Sequence, residues 1–319
     1  MTGSFARDRP LRPLTTLRAG GSAEFFTIAK NSDQLAEIAL YAQDAGLHTT
    51  VLGSGSNVLP SDDGVPGLTL LNLARSIDIG EDGQVRADCG ASFQDVFLKT
   101  AQASLHGFEF AVGIPGTLGG ALVSNAGAYR SNVSEFLTAL EIVYEGKRQM
   151  VAPEFMQFSY RDSILRRDDP PPCAMLVAEF SLPSGDSKAI YDAAREHQRQ
   201  RIGKQPAPAS AGSFFKNVND KTLAESLSDL PEGLRKAGVV PSGYLIESVG
   251  LQGFSYKGAT IARRHANFIL NTGGATATAI RDLAVHAKRL VSDKFGVELE
   301  EEVLFLGDWS RYEPVELVD

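Results

Sequence analysis

Cysteine is scarce in this chain: Cys89 and Cys173 are the two in 319 residues, far apart and outside any CxxC pattern. That excludes a disulfide framework and a zinc cluster and fits a reducing compartment. The five histidines, His48, His106, His197, His265 and His286, show neither HExxH nor HxH spacing, so no metal site is expected. No run of about 18 apolar residues occurs, and the opening MTGSFARDRPLRPL holds no apolar stretch of signal-peptide length. The expectation is a cytoplasmic protein that does not span a membrane. Positive charge is also in deficit, with 31 Lys and Arg against 39 Asp and Glu for a net charge of −8. General attraction to nucleic acid or anionic membrane is therefore not expected, and a phosphate-bearing ligand must be held locally. Internal repeats and low-complexity tracts are missing as well, which argues against a solenoid or propeller.

What is present suits an ordered globular protein, since hydrophobic residues make up 43% and charged residues 22%. A chain of this length exceeds what one core usually organises, so two or three domains are expected. Residues 23–30 read as a strand, 32–45 as a helix capped by Asn31 or Ser32, and 48–52 as a second strand, together a β-α-β unit. Further on come a short strand (VRADCG), a helix over 93–104, a strand over 139–144 ending at the Glu145–Gly146 turn, and a helix around 187–203. The stretch KQPAPASAG follows, and its prolines and small residues mark the linker and the domain boundary. Beyond it a helical region 221–237, the segment GYLIESVG, the apolar run ANFILN, an amphipathic helix near 276–294 and a strand around 299–306 make a second α+β domain.

Two glycine-rich loops stand out among the 31 glycines: GSGSN at 53–57, and GIPGTLGG at 113–120 followed by NAGAY at 125–129. The first lacks GxGxxG spacing and no Gly-Lys-Ser/Thr follows it, so it is neither a Rossmann fingerprint nor a Walker A loop. Each loop alone reads first as a tight turn between strands. Together they offer many positions where backbone N–H groups could approach a pyrophosphate. Tyr129 reads as a core aromatic or as a cover for a planar ligand.

Six segments in order then become discriminating: LRAGGSAEFF (17–26), VLGSGSNVL (51–59), GFEFAVGIPGTLGGALVSNAGAY (107–129), SYRDS (159–163), AGSFFKN (211–217) and LEEEV (299–303). With them the chain resembles the UDP-N-acetylenolpyruvoylglucosamine reductase family from about residue 14 to 306. The resemblance implies an α+β protein with an FAD-binding fold of the vanillyl-alcohol oxidase type. Two α+β subdomains, roughly 14–75 and 76–203, would form an FAD-binding region over 1–203, and 204–319 a C-terminal α+β substrate-binding domain. It also implies non-covalent FAD, NADPH as co-substrate and an enolpyruvyl UDP-sugar as substrate, in peptidoglycan precursor synthesis, with no obligatory protein partner.

Carried over by motif, Gly53, Ser54, Gly55, Ser56 and Asn57 of the first loop would line FAD. So would Gly113, Ile114, Pro115, Gly116, Gly119 and Gly120 of the second, with Asn125 and Gly127 adjacent. Arg161 matches the family's catalytic Arg, whose permanent charge and planar fork suit a carboxylate and the negative charge that develops beside it. Ser213 matches the proton donor, and Glu302 the carboxyl group that stabilises the intermediate. From the residues alone Arg161 is a surface or ion-paired Arg, Ser213 a turn former or cap, and Glu302 one of a solvated run. Strand alternation puts Glu300 and Glu302 on one face and Glu301 on the other. Tyr160, Lys204, Lys216, Asn217 and Tyr244 are the candidate substrate contacts.

Only about ten residues separate SYRDS from the strand AMLVAEF, so the chain resembles the shorter type, without the inserted tyrosine loop. Other groups must then hold the diphosphate, for which GYLIE at 243–247 and Lys257 are candidates. NAGAYR carries Arg130 where the family has glycine. His265 matches a segment of the substrate domain but reads first as packing beside an apolar strand. The alternative reading is an FAD-dependent sugar or alcohol oxidase of the same fold, which would share the loops but not the Arg, Ser and Glu set.

Overall fold

The helix expected over 32–45 spans Ser32–Asp44, with the Asn31 side chain accepting from Gln34 N at its start. In the computed structural model, which describes residues 5–204, 206 and 209–317 and Lys204 by its backbone alone, this helix buries Leu35, Ala36, Ala39 and Ala42. That spacing makes one helical face. The face shares a core cluster with Ala29 and Leu70 of one sheet and Val143, Leu176 and Val177 of another. The first sheet runs in the order Ala6–Pro10, Ser22–Ala29, Val65–Asn72, Thr49–Leu52. The two strands flanking the helix are therefore not neighbours: Val65–Asn72 lies between them and pairs in parallel with Thr49–Leu52. The simple β-α-β reading is corrected by this inserted strand, whose partner choice no local pattern encodes.

The second sheet is antiparallel, in the order Lys147–Val151, Leu137–Tyr144, Ala174–Ser181, Gln84–Asp88, Ile77–Ile79. Its hairpin at Glu145–Gly146 has φ of +49° and +69°, the pair of left-handed residues that a two-residue turn needs to match strand twist. Helix Phe93–Gln102, capped by Ser92 through Asp95 N, covers one face. Phe93, Phe108, Phe110 and Phe180 meet there edge to face, at centroid separations of 5.2–6.2 Å. Each such ring contributes about 1.5–3 kcal/mol by burial. Cys89, buried, and Cys173, half-buried, are both free thiols.

The chain divides into two compact units that are not contiguous in sequence. One comprises the chain up to Arg9, Ala23–Gly55 and Pro66–Gly203; the other comprises Pro10–Ser22, Ser56–Val65 and the chain from Lys204 onward. The second unit is built on helix Ala277–Phe295, capped by Thr276 through Ala279 N and ended by Gly296 at φ +69°. Its core joins Phe214, Phe215, Leu245, Ile246, Ile280, Leu283 and Ala287 to Leu17 and Leu59 from the N-terminal segments. The region expected to be helical over 221–237 resolves into Lys221–Ser226 and Glu232–Ala237. Pro231 stands between them as the cap of the second, and proline tolerates a helix start but not its interior. GYLIESVG forms a helix, Ser242–Ser248. The final strand is shorter than expected: Leu304–Leu306 pairs in parallel with Val58–Pro60, and before it only the bridge Phe215–Glu301 is formed. Helices and strands mix in both units, the α+β class expected from the sequence. Among the described residues no helix is long and apolar enough to cross a membrane.

Candidate active site

In the first unit the two glycine loops are packed on each other. A Cβ on Gly53 would lie 2.4 Å from Thr117 Oγ1, an oxygen that already accepts from Gly120 N at 3.3 Å as the cap of helix Leu118–Val123. Only a glycine lets the loop after Thr49–Leu52 come this close. Gly55, Gly113 and Gly116 have φ of +60°, +72° and +127°, backbone states that side chains resist. Gly119 N donates to Cys89 O at 2.7 Å, and a Cβ there would be 2.9 Å from that oxygen. Gly120 is different, since a Cβ on it would meet only Thr117 Oγ1 at 3.5 Å, so this glycine serves no internal packing. Ile114 N donates to Ala111 O at 2.9 Å within the same loop. Ser54 is exposed. Ser56 and Asn57 belong to the second unit, so the chain passes from one unit to the other inside GSGSN.

The NAGA turn and SYRDS lock together. Arg161 Nη2 donates to Gly127 O and Nη1 to Asn125 O, while Asn125 Nδ2 donates to Ser159 O at 2.9 Å. Arg161 itself sits at φ +54°, in a tight turn where Ser159 and Asp162 bridge. Its guanidinium lies 5.5 Å from the ring centroid of Tyr160, a half-exposed side chain. Gly127 is required by close approach, since a Cβ would fall 2.4 Å from Ser131 O. Tyr129 and Arg130, at φ +55° and +68°, make the two-residue turn between Gly127–Ala128 and Ser131–Asn132. Glycine is the natural occupant of the second position of such a turn, so Arg130 is accommodated with strain rather than by a different turn.

Sequence reasoning missed one group here. Arg201, on helix Ser187–Lys204, donates through Nη2 to Phe110 O at 3.2 Å, and its Cδ lies 3.1 Å from where a Cβ of Gly113 would be. Its guanidinium lies 5.7 Å from the centroid of Tyr129, a ring stacked on His197 at 3.7 Å. Burial, and after it the charge of Arg161, lowers the Arg201 pKa. Nothing in REHQRQRIGK distinguishes this Arg from its solvated neighbours. Fit to a flavin rests on two buried orphans: among the described residues Asn125 Oδ1 has no donor and Arg201 Nε no acceptor. An acceptor and a donor left unmet in buried positions carry a desolvation cost that a bound polar ring edge would relieve.

In the second unit Ser213 and Glu302 lie on paired segments. Glu302 N donates to Phe214 O at 2.8 Å and Lys216 N to Glu300 O at 2.8 Å, bracketing the Phe215–Glu301 bridge. The neighbouring glutamates have different partners: Glu300 pairs with Lys216 Nζ, and Glu301 with Lys288 Nζ at 3.0 Å from both its oxygens. Asn57 Nδ2 donates to Glu302 O at 3.0 Å. Asn217 Oδ1 accepts from Ser242 N at 3.4 Å. Burial, and then a hydrogen bond to Asp229, raises the pKa of the Tyr244 phenol. The His265 ring packs tilted against Phe268, with centroids 4.8 Å apart, and Lys257 lies 5.0 Å from the centroid of Tyr256. The side chain of Lys204 lies outside the described residues. Arg161 belongs to the first unit and Ser213 and Glu302 to the second. Among the described residues no group of three potential ligands could hold a metal ion.

Comparison with known proteins supplies the rest. Residues 23–149 match the FAD binding domain family model, and residues 204–306 match the C-terminal domain of UDP-N-acetylenolpyruvoylglucosamine reductase. A UDP-N-acetylenolpyruvoylglucosamine reductase of Caldicellulosiruptor saccharolyticus is 35% identical over 309 residues, 96% of this chain and 93% of that one. One of Acaryochloris marina is 37% identical over 307 residues, 94% and 92% of the two chains. The crystal structure of the UDP-N-acetylenolpyruvylglucosamine reductase of Thermus caldophilus superposes with a TM-score of 0.75 at 28% identity, covering 95% of this chain and 99% of that one. The chain belongs to the UDP-N-acetylenolpyruvoylglucosamine reductase family and is an FAD-dependent oxidoreductase.

Proposed function

We propose that this protein uses NADPH to reduce UDP-N-acetylglucosamine enolpyruvate to UDP-N-acetylmuramate, a cytoplasmic step of peptidoglycan precursor synthesis. The observation that supports the reading is the pairing of the segments that carry Ser213 and Glu302 through Glu302 N and Phe214 O at 2.8 Å, which joins two motifs of the resemblance, distant in sequence, along one backbone contact. FAD, when bound, supplies hydride transfer between the nicotinamide and the vinyl ether. Its contacts would come from Gly53, Ser54, Gly55, Ser56 and Asn57, from the 113–120 loop, and from Asn125 and Gly127, with Arg201 added.

The residues then divide the work of protonation and charge. Arg161 is held by the carbonyls of Asn125 and Gly127, so its charge is oriented before a substrate carboxylate arrives, which lowers reorganisation cost. Ser213 gives a proton to the substrate carbon next to the carboxylate. Glu302 donates a hydrogen bond to the developing enolate, which requires it to be protonated. Tyr160, Lys204, Lys216, Asn217 and Tyr244 contact the nucleotide sugar. The experiment is NADPH consumption with and without the enolpyruvyl UDP-sugar. Arg161→Met and Ser213→Ala are each expected to lower kcat about 10²–10⁴-fold. Glu302→Gln should retain more activity than Glu302→Ala; equal losses reject hydrogen donation by Glu302. NADPH consumption indifferent to the sugar nucleotide, or turnover that only oxygen sustains, contradicts the reading.

A further inference from the structure

Lys216 is 8% exposed and is gripped at three points. Its N–H donates to Glu300 O at 2.8 Å, its carbonyl accepts from Ser242 Oγ, and its ammonium meets Glu300 Oε1. The Glu300 side chain, by contrast, is 70% exposed. A buried ammonium needs a partner, because an unpaired one is costly, whereas an exposed carboxylate needs none and gains little from a surface pair. The asymmetry means that the pair exists for the lysine. Glu301 does not take over, since both its oxygens are bound by Lys288.

We propose that Glu300 is a positioning residue: its carboxylate holds the Lys216 ammonium in one direction, toward an anionic group of the substrate. This rests on the proposed function. Fixing a long, flexible side chain before binding removes the ordering cost that an anion contact otherwise carries. A lysine left without the carboxylate retains its charge but not its direction. The loss should appear in binding of the sugar nucleotide rather than in the chemical step.

The test combines Glu300→Ala, Glu300→Gln, Lys216→Met and the double variant Lys216→Met/Glu300→Ala, read by steady-state kinetics and by calorimetric binding of UDP-N-acetylmuramate. The wild type must first turn over the enolpyruvyl UDP-sugar; if it does not, the functional reading fails and not this inference. Given turnover, Glu300→Ala is expected to raise KM and the Kd of the product about tenfold with kcat changed less than threefold, and Glu300→Gln to fall between Ala and wild type. The double variant should be no worse than Lys216→Met alone, the non-additivity of residues acting through one another. Unchanged KM and Kd in Glu300→Ala, a loss confined to kcat, or additive losses in the double variant each overturn the proposal.

Discussion

Asn57 Nδ2 donates to the carbonyl oxygen of Glu302, and Leu304 N donates to the carbonyl of Asn57, each at 3.0 Å. A residue of the first glycine loop thus fixes the backbone at Glu302 and just after it, beside the carboxyl group proposed to act on substrate. Asn57→Ala removes one donor, and Asn57→Asp also sets a carboxylate against a carbonyl. Both should lower kcat, the Asp variant more, with the Ala loss about fivefold, the size of a hydrogen bond of about 1 kcal/mol. Equal, wild-type rates in both variants would show that this tie does not hold Glu302.

Gly53→Ala should empty or weaken the flavin site, because the new Cβ would fall 2.4 Å from Thr117 Oγ1. Absorbance of the purified protein in the flavin band, relative to its protein band, reads occupancy directly. Adding Thr117→Ala removes the oxygen and methyl in the way and should restore part of the flavin content. No restoration would place the clash elsewhere.

Arg130 occupies a left-handed position, φ +68°, next to Tyr129 at +55°. Arg130→Gly relieves strain of about 1 kcal/mol, so thermal unfolding should move upward with steady-state kinetics unchanged. A lower midpoint would mean that the arginine side chain contributes contacts that outweigh the strain.

Burial is the largest influence on Asp88 and raises its carboxyl pKa above the ordinary value, against hydrogen bonds from Ser76 N and Ser32 and the charge of Arg86. For a carboxyl raised on folding, the stabilising contribution is complete below the ordinary range and is lost as pH rises through the folded value. Asp88→Asn copies the neutral form and keeps an acceptor for Ser76 N, which donates to Asp88 Oδ2 at 2.8 Å. Melting at about pH 4 and about pH 7 should show the variant faring better against wild type at the higher pH. The opposite order would contradict a raised pKa.

Features written locally were legible in the sequence. Asn31, one of the two caps read for its helix, caps it, and the turn read at Glu145–Gly146 is formed. Pairings between distant residues were not. Leu304–Leu306 lies beside Val58–Pro60, and Val65–Asn72 enters between two strands read as neighbours, because strand partners depend on which faces need covering rather than on nearby residues. At the site, motifs named Arg161, Ser213 and Glu302, but the grip of Asn125 and Gly127 carbonyls on Arg161 uses backbone oxygens that no motif spells out. Arg201 went unseen because a charged helix hides one half-buried cation among several exposed ones.

The most direct test follows the flavin band of the purified protein under anaerobic conditions, first with NADPH and then with UDP-N-acetylglucosamine enolpyruvate. The account predicts that NADPH bleaches the band and that it recovers on adding the enolpyruvyl UDP-sugar, with UDP-N-acetylmuramate formed. A band that stays bleached until oxygen is admitted, or that NADPH leaves unchanged, would contradict it.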